Sequence, residues 1–377
     1  SDIIKKYGGQ IIFTPGDIVY SSTEILSKKK PLLSHEKLNL IFENEKIGFK
    51  EIFQALKGFK EKKVHIIGDT IIDSLSRCSM LGGQSKTPTM SILFENRENF
   101  IGGAAIVAKH LSAAGAKVTF TTIMGNDDLM KYAKKDLKDI KLNLIIDNKR
   151  PTTNKNSFVV DNYRLIKVDT LDNSPFNDEI MKKIHTLIKS THSDLVIFSD
   201  FRHGIFNSTS IPFLIEAIPK NVIKVADSQV ASRWGNILDF KSFDIITPNE
   251  KEARFALGDQ DSNIGLLANT LEKKAKSTLL ILKLGDKGVL FTNEHKKDQY
   301  YFIDSFVNNL VDAVGAGDAL LAYSSLSYAV NKNNAISAVL GSIAASCECE
   351  KDGNIPVYPG DIKNKIEEYK NILNKKY

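Results

Sequence analysis

The chain has 377 residues, 42% hydrophobic and 25% charged, with a formal net charge of +6. This balance predicts a packed core and excludes a disordered chain. The positive excess sits in Lys-rich stretches such as Lys28-Lys29-Lys30, Lys273-Lys274 and Lys296-Lys297, which read as solvated surface with a mild attraction for anionic substrates. No basic patch interleaved with aromatics suggests a nucleic-acid partner. Cys78, Cys347 and Cys349 make no disulfide framework and point to a reducing, cytoplasmic compartment. No apolar run reaches transmembrane length and no signal peptide is visible, so no membrane partner is expected.

In chain order, Gly8-Gly9-Gln10-Ile11-Ile12-Phe13 reads as a turn and short strand, and Tyr20-Ser21-Ser22-Thr23-Glu24-Ile25-Leu26 as a helix start with hydroxyl caps. Residues 1–30 are thus a β-α piece set apart from the rest. Residues 31–62 read as a helical bridge. Leu38, Ile41, Phe42, Ile47, Phe49, Ile52, Phe53, Leu56 and Phe59 recur at helical spacing, with a break near Gly48, which predicts packing against the following domain.

Over residues 63–377 strands and helices alternate. Val64-His65-Ile66-Ile67 is a buried strand ending at Gly68, with His65 in the core and Asp73 just past the sheet's carboxyl edge. Gly102-Gly103 opens a helix over residues 104–114, and Val118-Thr119-Phe120 returns as a strand. Later strands are Leu195-Val196-Ile197-Phe198, Val222-Ile223-Lys224-Val225, Asp244-Ile245-Ile246 and Leu279-Leu280-Ile281-Leu282. Helical patterns between most of them predict an α/β fold with a mainly parallel sheet covered on both faces. Polar-apolar alternation over residues 156–168 predicts a hairpin that joins residues 91–94 in a small β lid.

The stretch Asp312-Ala313-Val314-Gly315-Ala316-Gly317-Asp318 runs into an apolar helix. Two glycines one residue apart allow a sharp turn and present N–H groups at a helix N-terminus, a site for anions. A carboxylate there would repel phosphate, so Asp318 is either a helix cap or a base that takes a proton from an attacking hydroxyl. A dinucleotide fingerprint fits poorly, because its third glycine position holds Leu320 and the motif lies far from the first strand. Asn249 and Glu252, in Thr247-Pro248-Asn249-Glu250-Lys251-Glu252, fit a capping box or a magnesium-linked pair. Lys283-Leu284-Gly285-Asp286-Lys287-Gly288 ends a strand with glycine turns. The histidines form no metal-like pair and no serine nucleophile elbow is present.

Taken together, Asp312 to Asp318, Gly102-Gly103-Ala104-Ala105, Met124-Gly125-Asn126-Asp127 and Thr247 to Glu252 resemble, in order, the ribokinase-like (PfkB) carbohydrate kinases. The resemblance implies a three-layer sandwich with a β lid, here about 77–101 and 150–170, which closes over the sugar and mediates homodimerisation. It implies ATP and Mg²⁺ as cofactors. Asp318 is then the catalytic base, and the amides of Gly315, Ala316 and Gly317 form the anion hole. Asp73, Gly102 and Gly103 hold the sugar. Asn249 and Glu252 reach Mg²⁺ through water, while Asp227, Lys283, Gly285, Gly288, Gly353 and Asn354 line the nucleotide side. Asp312 and the carbonyl of Val314 match a K⁺ site that some members use.

Within the family, Pro151-Thr152-Thr153-Asn154-Lys155, Lys167-Val168-Asp169 and Ser199-Asp200-Phe201 are similar to the heptose-phosphate kinases of ADP-heptose synthesis, with Lys167 and Asp169 at the substrate. Three positions depart from the pattern. Ile106 stands where the family places Asn, His203 where the subgroup has Lys, and Ser228-Gln229 where it has Pro-Lys after Asp227. These departures leave open a catalytically silent sugar-nucleotide scaffold or sensor. Residues 1–30 resemble the end of a sugar-phosphate nucleotidyltransferase domain, which would then precede residue 1.

Overall fold

The computed structural model describes residues 33–83, 89–230, 234–292 and 299–374. The expectations for residues 1–30 lie outside them. In chain order the strands are β1 (Lys63–Gly68), β2 (Thr70–Gly83), β3 (Met90–Gly103), β4 (Lys117–Met124), β5 (Lys141–Ile146), β6 (Asn154–Val160) and β7 (Tyr163–Thr170). There follow β8 (Leu195–Asp200), β9 (Ile223–Ser228), β10 (Ile245–Ile246), β11 (Leu279–Lys283), β12 (Val289–Thr292) and β13 (Tyr300–Ile303). The main sheet runs β13-β12-β11-β10-β9-β8-β1-β4-β5. It is parallel from β11 to β5, with β12 and β13 added antiparallel at one edge.

Because strand side chains alternate between faces, successive residues feed two cores. Ile66, Phe120, Ile197, Val225 and Ile281 join one, whereas Ile67, Val196, Phe198, Ala226 and Leu282 join the other. Helices α1 (Leu33–Glu45), α2 (Phe49–Gly58), α3 (Ala104–Ala113) and α4 (Asp128–Asp136) pack on the first face. Helices α5 (Asp178–Ser190), α6 (Ser210–Glu216), α7 (Glu250–Leu257) and α8 (Ile264–Ala275) pack on the second. Helices α9 (Ala316–Asn331), α10 (Asn334–Cys349) and α11 (Pro359–Asn374) return to the first. The layers are helix, sheet, helix, as expected. The described residues contain no helix long and apolar enough to cross a membrane.

The helical bridge is two helices, not one. Lys46 adopts a left-handed φ of 53°, α2 starts after Gly48, and the Gly48 N–H donates to Glu51 Oε2 at 2.9 Å. Leu38, Ile41, Phe42, Ile52, Leu56 and Phe59 are buried in the first-face core, and Ile47, Phe49 and Phe53 pack against it. His65 is fully buried, its Nε2 2.8 Å from Thr121 Oγ1. Burial pushes its pKa down to about 4, so it stays neutral.

The lid is a four-stranded sheet, β3-β2-β6-β7. It starts at Thr70, ahead of the expected residue 77, since only Asp69 separates β1 from β2. The β6–β7 hairpin turns on Asp161 and Asn162, both with positive φ (46° and 66°), as a two-residue turn matched to strand twist requires.

Phe59 is fully buried and meets the ring of Tyr323 on α9 edge-on at 5.9 Å. Phe59→Ala should lower unfolding free energy by about 3–5 kcal/mol. Denaturant titration checks this, and an unchanged midpoint would mean that α1 and α2 do not belong to the cooperative unit.

Candidate active site

The carboxyl ends of β1 and β8 meet where the chain turns opposite ways along the sheet, the usual ligand position in α/β folds. Asp69, the residue after β1, and Asp200, the last residue of β8, are buried. Asp69 accepts the His203 N–H at 3.2 Å. Asp200 Oδ2 lies 2.8 Å from Arg202 Nε and accepts the Ser228 hydroxyl at 2.7 Å. Burial, with each acid near the other for Asp69, pushes Asp69 up to about 7, and burial pushes Asp200 up to about 6 despite Arg202. Neither acid was singled out as a site residue from sequence. Their position at a strand's last polar residue was the available signal.

The loop before α9 turns at Gly315, with φ 85°, a conformation that a side chain would strain. Asp312 Oδ1 accepts the Val314 N–H at 3.0 Å, and Gly315 O accepts the N–H groups of Asp318 and Ala319 at 2.9 and 3.0 Å. Gly315 is the N-cap, so Asp318 lies inside the first turn and its side chain caps nothing. Among the described residues its carboxylate accepts no hydrogen bond, and the Gly317 N–H finds no protein acceptor. Asp318 is half-buried. Burial first, then Asp227, push it up to about 8 against the pull of Lys283, and Asp73 and Glu348 add to the rise.

Lys283, at the end of β11, places Nζ 2.9 Å from Asp227 Oδ1, and Asp227 also accepts the Thr247 hydroxyl at 2.8 Å. A Cβ on Gly317 would lie 3.4 Å from the same Nζ, so the ammonium reaches the anion loop. Burial works to lower the Lys283 pKa, but Asp227 and Glu252 outweigh it and hold the group above its ordinary range. Asn249 and Glu252 form a reciprocal capping box on α7, with bonds of 2.9 and 2.7 Å. Glu252 is also buried and pushed up to about 7, by burial first and Asp227 in addition. Its carboxylate is engaged by backbone amides of Asn249 and Val230, so it suits a water-bridged cation better than a direct one. Among the described residues no group of three or more His, Cys, Asp or Glu has metal-ligand geometry.

Across the cleft, Asp73 lies on β2, paired with Phe100 of β3 and Lys155 of β6. It therefore belongs to the lid rather than to the main sheet. A Cβ on Gly102 would strike the Asp73 carboxylate, so Gly102 makes room for that side chain. Burial raises Asp73, while Lys155 and Lys167 oppose the rise. Lys167 and Asp169 are exposed on β7, with Asp169 opposite Lys155. Lys155 is the cation at the centre of this group, and only the hairpin start in which it stands drew attention to it. His203 also faces Lys155 and Asp169, is buried, and is held neutral by burial at about 4. Ile106 is fully buried in α3.

Gly103 (φ 63°) ends β3 before α3, and Gly285 (φ 65°) and Gly288 (φ 93°) shape the β11–β12 turn. The turn alone explains the last two. Gly353 packs near the Phe100 ring. Asn354 donates to Ile101 O at 3.0 Å and sits against Gly315, which ties it to the anion loop. Glu348, unforeseen, is buried beside it, accepts the Ile355 N–H at 3.1 Å, and is pushed by burial up to about 7. Val314 is exposed.

The family described as pfkB family carbohydrate kinase matches residues 61–359. A bifunctional protein HldE of Helicobacter hepaticus is 26% identical over 287 residues, covering 72% of this chain and 56% of that protein. The chain thus spans little more than half of that relative's length. Among solved structures, Escherichia coli phosphofructokinase-2 in complex with potassium superposes with a TM-score of 0.67 at 14% identity, covering 82% of this chain and 99% of that one. Arabidopsis thaliana ribokinase complexed with ribose and ATP gives 0.65 at 16%, covering 81% and 99%. These likenesses establish a ribokinase-like fold.

Lys283 is the cation that offsets Asp227, Glu252 and Asp318. Lys283→Met should therefore cost about 3–5 kcal/mol, the usual penalty for stranding a buried partner. Adding Asp227→Asn should recover part of it in the same denaturation assay.

Proposed function

Because the chain belongs to the pfkB family of carbohydrate kinases, we propose that it transfers the γ-phosphoryl group of ATP to a hydroxyl of a sugar or sugar phosphate, with Asp318 as the general base. The observation that carries the reading is Asp318 itself. It is an acid without a hydrogen-bond partner among the described residues, set beside backbone N–H groups at a helix start and close enough to Asp73 to feel its charge. Asp73 accepts hydrogen bonds from the sugar and orients it. Asp318 takes the proton of the attacking hydroxyl, and the Gly315, Ala316 and Gly317 amides stabilise the charge that develops on the transferred group. Lys283 adds a positive charge next to that loop.

Mg²⁺, when bound, neutralises phosphate charge. Asn249 and Glu252 would hold it through water. Asp312, the Val314 carbonyl and neighbouring Glu348 supply oxygen atoms suited to K⁺. Lys155, Lys167 and Asp169 border the acceptor, and the two lysines give a phosphorylated sugar, heptose phosphate included, a cationic wall. Asp227, Gly285, Gly288, Gly353 and Asn354 belong on the nucleotide side in this reading. Residues 1–30 are inferred to close a nucleotidyltransferase-like domain, consistent with a relative whose name marks it as bifunctional. Leu81, Met90, Leu93, Phe94, Ile166 and Val168 expose between 44% and 66% of their surface on the lid, and a second copy of the chain is the expected cover.

ADP release measured over a panel of sugars and sugar phosphates tests the reaction. Asp318→Asn should lose roughly two to four decades in kcat, the range for a general base. In the wild-type chain kcat/KM should rise with pH to a plateau above about 8, and the variant should lack that limb. The sign for stability is opposite. Between 3.8 and about 8 the folded chain keeps a proton that the unfolded chain releases, so stability from this group falls across that window as pH rises. Asp318→Asn should therefore melt higher than wild type at alkaline pH. Unchanged turnover in the variant refutes the base assignment.

Replacing Leu93 and Phe94 together by Glu should shift the sedimenting species from dimer to monomer. A species of the same size before and after excludes the lid as the interface.

A further inference from the structure

A cavity of about 530 Å³ opens beside the ends of β8 and β9, lined in part by Asn173, Pro175, Arg202, Phe206, Asn207 and Trp234. None of Asp318, Lys283 or Asp73 is among its walls. Asn173 divides it from the lid cleft, since its Oδ1 lies 3.0 Å from His203 Nδ1 and His203 faces Lys155 and Asp169 on the other side. The volume falls in the range of small-molecule sites.

The walls restrict what could enter. Arg202 is buried and adopts a left-handed φ of 59°, a conformation rare for such a side chain and concentrated at functional sites. Its guanidinium is shared by Asp200, at 2.8 Å, and Asp239, at 2.7 Å. Two acids against one cation leave no positive charge for a phosphate or carboxylate. Trp234 exposes 75% of its surface, and Phe255 of α7 braces it edge-on at 5.6 Å. A flat indole face left open at a cavity mouth is an apolar surface awaiting contact. Asn207 Oδ1 accepts the N–H groups of Thr209 and Ser210, both at 2.9 Å, which leaves its NH₂ group as the donor it can offer. Ser208 adds an exposed hydroxyl at the rim.

One aromatic face, amide and hydroxyl groups around it and, among the described residues, no uncommitted cation suit a ring with apolar C–H faces and a hydroxyl edge. We infer that this cavity is a second binding site, for a neutral carbohydrate that stacks on Trp234. The site does not depend on phosphoryl transfer at Asp318.

Trp234 is the chain's single tryptophan, so the emission of the whole protein reports on the cavity directly. Titration with glucose, mannose and maltose should give a saturable blue shift with at least one of them, as the indole leaves water. Inorganic phosphate and adenosine should give none. By calorimetry, Trp234→Ala should bind the same sugar roughly tenfold more weakly, the value of one aromatic contact, while ADP release with the kinase's acceptor stays unchanged. Asp73→Ala should keep the blue shift. The inference is overturned if no sugar shifts the emission, if only phosphate or adenosine does, or if Trp234→Ala binds sugar as tightly as wild type. It is equally overturned if the shift vanishes in Asp73→Ala, because the sugar would then occupy the lid cleft.

Discussion

A single ammonium group surrounded by acids sets the character of this sheet edge. Lys283 binds Asp227 directly and sits within electrostatic reach of Glu252 and Asp318. Strands β9 and β11 and helices α7 and α9 deliver these four residues to one place. Without the lysine, three carboxyl groups would face one another in a region of low polarity, which is costly. With it, Asp227 stays paired, and burial holds Asp318 and Glu252 far above ordinary carboxyl values against its pull. An acid poised near neutrality is what proton abstraction asks for. The same crowding works against the fold, so stability and chemistry pull on this corner in opposite directions.

The lid supplies the other half of the cleft with a different balance. There Asp73 is flanked by Lys155 and Lys167, and the cations draw its carboxyl back toward the charged form. Burial raises both acids, but two lysines oppose the rise at Asp73 where a single one does at Asp318.

Much of this was legible in the chain because the signals were local. Runs such as Leu195-Val196-Ile197-Phe198 are buried on both faces and read as parallel strands. The glycines at 315 and 317 announced a tight turn into a helix, and alternation over residues 156–168 matched the β6–β7 hairpin. What stayed hidden depends on contacts between distant segments. Lys155 gains its meaning from standing opposite Asp73. Glu348 reads as an ordinary residue near a helix end until Gly315 and Asn354 are brought against it. Gly102 was expected to admit the substrate's approach, and its nearest neighbour is the Asp73 carboxylate. The lid starts earlier than expected because β1 and β2, parted only by Asp69, form nearly one continuous run.

That junction has a mechanical consequence. Asp69 is the sole residue between the central strand and the lid, its carbonyl accepts the first amide of α3 at 2.9 Å, and its carboxylate accepts the His203 amide. Any swing of the lid must bend the backbone at this clasp and tug on both anchors together. The flap therefore cannot be trimmed away or exchanged as a module, as a loop insertion could. It is the same ribbon as the middle of the molecule, and its angle is geared to α3.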